Sequence, residues 1–230
     1  MSWTGILARA LAALVELALP PVEYRDEPVK LEGEAFHEVA AMAPLTGAYP
    51  ATKEQPLRYR ILVEDGLDSY ADGFAYTVHR ALSAEDGWGQ AGRGFELVEG
   101  EDVDFTVILA MPATTDLLCA PLNTGRIFSC GRDYKAVVNL RRWQLGALAW
   151  GPGLESYRDY VITHEVGHLL GLPHRPCKGR GRTSPVMAQQ SKTLGGCERA
   201  SKPSASEIAY LRRRWINLGF DLDRRASGAG

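Results

Sequence analysis

His164-Glu165-Val166-Gly167-His168-Leu169-Leu170-Gly171-Leu172-Pro173-His174 is the stretch on which the reading of this 230-residue chain turns. It sets three imidazoles, one carboxylate and a glycine at fixed intervals. At average composition that arrangement arises by chance on the order of once in 10^5 such chains, so it is treated as a site rather than as scattered core histidines. His164 and His168, four residues apart, stand one turn apart on the same face of a helix and can grip one ion. The preceding run supports that helix: Leu154, Tyr157, Tyr160, Val161, His164, His168 and Leu169 recur at helical intervals, with Glu155, Arg158 and Asp159 off the stripe. Gly171 ends the helix, because glycine adopts the left-handed conformation that turns the chain, and the turn returns His174 as a third ligand. Three neutral imidazoles leave one tetrahedral position of a Zn2+ ion open to water, whereas structural zinc is usually closed by four ligands, often cysteines. Zinc lowers the pKa of such a water to about 7 and polarises a carbonyl. Glu165 is placed to take the water's proton and pass it to the leaving amine, so peptide-bond hydrolysis without a covalent intermediate is expected.

The eleven residues match H-E-x-x-H-x-x-G-x-x-H, and on them the chain resembles the metzincin zinc peptidases. Ser184-Pro185-Val186-Met187, thirteen residues after His174, is similar to the methionine turn beneath the zinc of that clan. Proline marks a turn and a thioether packs softly under the ligands, although Met187 taken alone reads as an ordinary core residue. A narrower resemblance spans about residues 57–200. Arg58 to Leu67, Pro112 to Asp116, Cys119 to Leu122, Val161 to His168 and Gly195 to Cys197 are similar to a bacterial family of secreted, metzincin-like domains. The resemblance implies a zinc site and an extracytoplasmic setting, and names no substrate. It also implies an α/β (α+β) zincin layout: a twisted mixed sheet, the active-site helix, and a loop-rich C-terminal part with one terminal helix. In that layout an antiparallel edge strand pairs with the substrate backbone.

Three departures are specific to this chain. Gln189 stands two residues after Met187, where several metzincin families carry a transition-state tyrosine; Gln189 or Gln190 is the candidate replacement donor. Arg175 follows the third histidine, where many families have a small or acidic residue. No C-x-x-C is present, which excludes the branch with a second, cysteine-bound zinc.

Composition is that of an ordinary globular protein, with 45% hydrophobic and 23% charged residues. The net charge of −2 conceals an asymmetry: residues 1–163 carry 14 Lys and Arg against 23 Asp and Glu, residues 164–230 carry 12 against 5. Arg175, Lys178, Arg180, Arg182, Lys192, Arg199 and Lys202 crowd the segment after the motif, as a solvated surface or as a wall that favours acidic peptides. No nucleic-acid module is recognisable and none is expected as a partner; the expected partner is a peptide or protein substrate of a monomer. The cysteines, at 119, 130, 177 and 197, allow three connectivities, and proximity favours Cys119–Cys130 and Cys177–Cys197. Disulfides imply an oxidising compartment, so a secreted or extracytoplasmic location is expected.

Ile6 to Leu19 is apolar but interrupted by Arg9 and Glu16. It is too short and too charged to span a membrane, and reads as a degenerate export signal or an amphipathic helix. Residues 1–56, with six prolines between 20 and 56, read as an export segment, pro-segment or linker, in which Glu32 or Glu34 is a candidate cap for the zinc. The catalytic domain is expected over 57–220, divided at 171–172 into upper and lower parts, with 221–230 a disordered tail. Strands are expected at Leu57–Val63, Phe95–Val98, Phe105–Ala110 and Ala136–Leu140, with a short edge strand within 117–130. Helices are expected at Ser69–Ser83 and at Ala205–Trp215, the latter opened by a Ser204/Glu207 capping box. Two other functional classes fit the same residues: a zinc-braced surface-binding module without hydrolysis, and a zinc hydrolase of a non-peptide amide.

Overall fold

The computed structural model describes residues 24–29, 35–39 and 55–220. In chain order the elements are β1 (Phe36–Glu38), β2 (Leu57–Glu64), α1 (Asp68–Leu82), a 3-10 turn (Trp88–Ala91), β3 (Phe95–Leu97), β4 (Phe105–Ala110), α2 (Pro112–Leu118), β5 (Cys130–Arg132), β6 (Lys135–Asn139), α3 (Leu140–Leu145), α4 (Leu154–Leu169) and α5 (Ala205–Asn217). The result is a mixed α/β architecture around one mixed sheet.

The sheet runs β1-β2-β4-β6-β5, with β3 joining β1 along the outer edge of β2. β2, β4 and β6 are parallel; β1 and β5 run antiparallel to their neighbours. Alternation along β4 divides the core. Val107 and Leu109 point into the main cluster with Phe74, Trp143, Tyr160 and Ile162, while Ile108 and Ala110 face a smaller one with Cys119, Cys130 and Val137. β4, buried on both faces, is a nearly continuous apolar run, whereas β2 alternates buried and partly exposed positions over most of its length.

Several elements lie outside the sequence expectation. Pro112–Leu118 is a helix, opened by proline at its first position, where a missing N–H is harmless. The edge strand therefore begins only at Cys130 and extends to Arg132, beyond the 117–130 window. It turns into β6 through Asp133 and Tyr134, both at positive φ (47° and 62°), the backbone of a tight two-residue hairpin. Phe36–Glu38, within the segment read as a linker, adds an antiparallel strand to β2. Arg25 donates to the buried Glu64 carboxylate (3.0 Å) and to the Asp65 carbonyl (2.7 Å), so the folded unit starts before residue 57. Glu32, Glu34, the Ile6–Leu19 segment and the 221–230 tail lie outside the described residues.

α4 is covered on nearly all sides: Tyr157, Tyr160, Val161, Ile162, Thr163, His164, Glu165, Val166 and Gly167 are all buried. α1 lies beside it, joined by Arg80, which pairs with Asp159 (2.6 Å) and with Glu155. After α4 the chain runs from 170 to 204 without a helix or strand, holding itself by turns and one isolated bridge between Thr183 and Glu198. Both disulfides join the cysteines nearest in sequence, Cys119–Cys130 and Cys177–Cys197. Among the described residues no helix is long and apolar enough to cross a membrane.

Candidate metal centre and its cleft

The sequence stretch from 164 to 174 folds as its residue types dictate. α4 ends at Leu169, and Gly171 (φ 87°) follows in the left-handed region. The amide of Gly171 donates to the His168 carbonyl (2.9 Å) and that of Leu172 to the Gly167 carbonyl (3.0 Å), the paired bonds of a Schellman turn. A side chain at Gly171 would also run into the Arg214 guanidinium, its Cβ only 2.5 Å from Nε. The turn folds His174 back against the helix.

His164, His168 and His174 consequently form a group able to hold a metal ion, with ligand atoms all within 4.8 Å of one another. The Nε2 atoms of His168 and His174 are 3.1 Å apart, close to the roughly 3.3 Å expected for two imidazoles on a tetrahedral zinc with Zn–N near 2.05 Å. His164 Nδ1 faces the Val186 carbonyl (2.7 Å) and His168 Nδ1 the Leu172 carbonyl (2.9 Å). A carbonyl only accepts, so each Nδ1 carries the proton and each Nε2 is left with a bare lone pair. Burial and the neighbouring imidazoles push His164 down to about 3 and His168 to about 4. His174 is lowered by burial and by the charge of Lys192. All three are thus neutral at pH 7, the form a metal requires.

Glu165 is 6% exposed and lines the same cavity as the three histidines. Burial raises it to about 8. A cation held by the imidazoles would reverse that shift, because opposite charge at close range favours the ionised form.

Below the imidazoles, Met187 is fully buried and presses on α4 at Gly167: a Cβ there would lie 2.4 Å from the Met187 sulfur and 2.9 Å from Trp88. The glycine inside the H-E-x-x-H motif is what lets the methionine turn approach. Three side chains hold that turn. Tyr160 donates to the Ala188 carbonyl (2.8 Å) and accepts from Gln190 N–H (2.9 Å). Gln190, fully buried, donates to Ala200 O (2.9 Å) and accepts from Ala200 N–H (2.9 Å). Glu207, also fully buried, accepts from the amides of Val186 (3.2 Å) and Met187 (2.9 Å) while closing the Ser204 capping box.

The cavity, about 290 Å³, runs between these elements and the loop that follows α2. Leu122, Asn123, Thr124 and Phe128 line it on one side, Cys130 and Gly131 of β5 on another, and Gln189, Ser191 and Lys192 on a third. Gly131 allows β5 to lie directly on α4; a Cβ there would sit 2.0 Å from the Glu165 carbonyl oxygen. Asp116 accepts from the Thr124 amide (3.2 Å) and hydroxyl, which shapes the 119–129 loop together with the Cys119–Cys130 bridge.

The structure therefore brings His164, Glu165, His168, His174 and Met187 together, and places Gln189 at the rim. Gln190 does not join them: its amide is engaged by the backbone of the methionine turn, which removes it as a donor to the cleft. Arg175 lies over the Tyr210 ring (4.9 Å) rather than in the cleft. Tyr160, Phe128 and Gly131 line the cavity without a sequence signal for it, while Lys192 is the one member of the basic run after the motif that joins the lining. Tyr160 stood on the predicted helical stripe, but only the tertiary fold shows its hydroxyl under the turn.

No curated protein matches the chain. The family model described as "Protein of unknown function (DUF3152)" matches residues 26–206, and the chain belongs to that family.

Proposed function

We propose that this protein is a zinc-dependent endopeptidase of metzincin type, working outside the cytoplasm. The observation that carries the reading is the convergence of three neutral imidazoles, two with Nδ1 locked by carbonyls, on a cavity that Glu165 also lines. The antiparallel edge strand β5 beside the cleft and Met187 under the ligands support the metzincin assignment. The two disulfides support the extracytoplasmic setting.

His164, His168 and His174 would hold the zinc. When bound, it supplies an electrophile for the scissile carbonyl and a water acidic enough to act near neutral pH. Glu165 takes the proton of the attacking water and returns it to the leaving nitrogen as the C–N bond breaks, so no proton is left over. Its burial keeps bulk water from competing for that proton. Tyr160 and Glu207 do no chemistry; they hold the turn whose carbonyl at Val186 orients His164. Gln189, which lines the cavity, is the candidate donor to the developing oxyanion.

The test is zinc content together with hydrolysis of a peptide library by wild type and Glu165→Ala. Expected are about one zinc per chain in both proteins, chelator-sensitive cleavage by wild type, and none by the variant. Full cleavage by Glu165→Ala would refute the mechanism. Zinc retention without any wild-type cleavage would favour the zinc-braced binding module instead.

A further inference from the structure

The cleft holds one side chain that zinc hydrolysis does not use. Apart from the imidazoles, Lys192 is its only basic lining residue among the described residues, and Glu165 its only acidic one. Among the described residues no carboxylate stands within ion-pair distance of the Lys192 ammonium. Other basic residues do have such partners: Lys202 meets Asp86 at 3.4 Å, and Arg80 meets Asp159. Lys192 is nevertheless held in place. Its amide closes a turn onto the Gln189 carbonyl (2.9 Å), and the neighbouring Ser191 hydroxyl is joined to Tyr157 (2.9 Å). Its ammonium lies 5.1 Å from the centre of the Phe128 ring, itself a wall of the cleft.

An unpaired cation over an aromatic face, open to solvent and beside the metal ligands, suits a short chain of methylenes ending in a carboxylate. The methylenes lie against Phe128 and the carboxylate meets the ammonium. We propose that Lys192 selects substrates carrying a carboxylate next to the scissile bond, as the side chain of Asp or Glu or as a free C-terminus. This rests on the zinc-hydrolase reading above; the side-chain source keeps endopeptidase cleavage, whereas the C-terminal source makes the cleavage that of a carboxypeptidase. A lysine is a point charge on a flexible stem, so it tolerates either source where an arginine fork would demand one geometry. The basic residues that follow the motif in sequence, Arg175, Lys178, Arg180 and Arg182, add positive charge to this half of the chain, which favours the approach of acidic chains.

The experiment uses the full chain loaded with zinc and peptides built on one neutral frame. In one set glutamate is walked through the frame, with matched glutamine and lysine peptides, all capped at both ends. In a second set the neutral frame carries either a free or an amidated C-terminus. Expected is cleavage with about twofold to fivefold higher kcat/KM for glutamate than for glutamine at one position, shrinking at about 0.5 M salt. Lys192→Ala should level the two, Lys192→Glu should favour the lysine peptides, and Lys192→Arg should restore much of the preference. A preference confined to the free C-terminus would identify the terminal carboxylate as the source. Equal cleavage of glutamate and glutamine peptides, and of free and amidated ends, would overturn the proposal while leaving hydrolysis standing.

A second readout does not need turnover: fluorescence anisotropy of labelled glutamate and lysine peptides on Glu165→Gln protein. Reversed ranking upon Lys192→Glu supports the selection even if no peptide is cleaved, which would sink hydrolysis alone. Unchanged ranking overturns the selection.

Discussion

Replacing Glu207 by alanine should damage both the fold and the metal centre, although no atom of Glu207 lines the cleft. Its carboxylate is fully buried and accepts from three backbone amides, those of Val186 (3.2 Å), Met187 (2.9 Å) and Ser204 (2.8 Å), and from the Ser204 hydroxyl (2.6 Å). Alanine leaves the Val186 and Met187 amides without partners in the interior, at about 1–3 kcal/mol each, and weakens the cap of α5 by about 1 kcal/mol. Allowing for water entering the space, the sum is about 3–5 kcal/mol. For a domain of this size that lowers Tm by ~10–15 °C. The second consequence is specific to the site. The Val186 carbonyl accepts from His164 Nδ1, so loosening the turn loosens a ligand, and supporting hydrogen bonds of this kind are worth about 10–100-fold in metal affinity. The checks are thermal unfolding of the metal-free protein by circular dichroism and a competitive zinc titration below the transition. Glu207→Gln, which keeps one acceptor oxygen, should fall between wild type and alanine on both scales. An alanine variant melting within about 2 °C of wild type, with unchanged zinc affinity, would show that the carboxylate does not buckle the turn.

Gly167→Ala should destabilise by about 1–3 kcal/mol through overpacking against Met187 and Trp88, and Met187→Ala in the same chain should relieve part of that loss; additive losses in the double variant would contradict the contact. Removing the Cys177–Cys197 bridge, with its separation of 20 residues, by a double serine substitution should lower stability by about 3 kcal/mol and open the 178–196 loop to limited proteolysis. In the metal-free protein Glu165 has its folded pKa raised to about 8 from 4.5, so its contribution is complete below 4.5 and is lost as pH rises through 8. Glu165→Gln should therefore gain on wild type over that window, and parallel denaturation curves at pH 5 and 8 would rule the shift out. His164 and His168 have folded values lowered to about 3 and 4 from 6.5. They stabilise above 6.5 and cease to as pH falls through 4, so a His164→Asn, His168→Asn protein should lose the acid-side slope that wild type shows in the same titration.

What was legible in the sequence follows from the range of the interactions involved. α4, its Schellman end and the three histidines depend on spacing within twenty residues, and α1, β2, β4 and α5 have apolar periods long enough to recognise. β1 and β5 are three residues each, too short for any period, and owe their form to pairing with β2 and β6. α2 carries Thr114 and Thr115 buried beside Pro112, a composition that resembles a turn as much as a helix. Within the site, the grouping of the three histidines was readable because it depends only on spacing within eleven residues. The residues that hold them were not. Glu207 was visible only as a helix cap, and its bonds to Val186 and Met187 bridge about twenty residues of irregular chain. Gln190 looked equivalent to Gln189 until the backbone of Ala200 claimed its amide.

The close seating of β5 on α4 at Gly131 has a mechanical consequence. With no side chain between the strand and the Glu165 carbonyl, there is no layer of rotamers to yield, and the strand cannot slide or lift without breaking contact with the helix that carries the metal ligands. The distance between that strand and the helix bearing His164 and His168 is therefore a constant of the fold. Accommodation of bulkier or smaller side chains falls to the 119–129 loop and the 189–192 turn, and changes of specificity among relatives should concentrate there while position 131 stays free of a side chain.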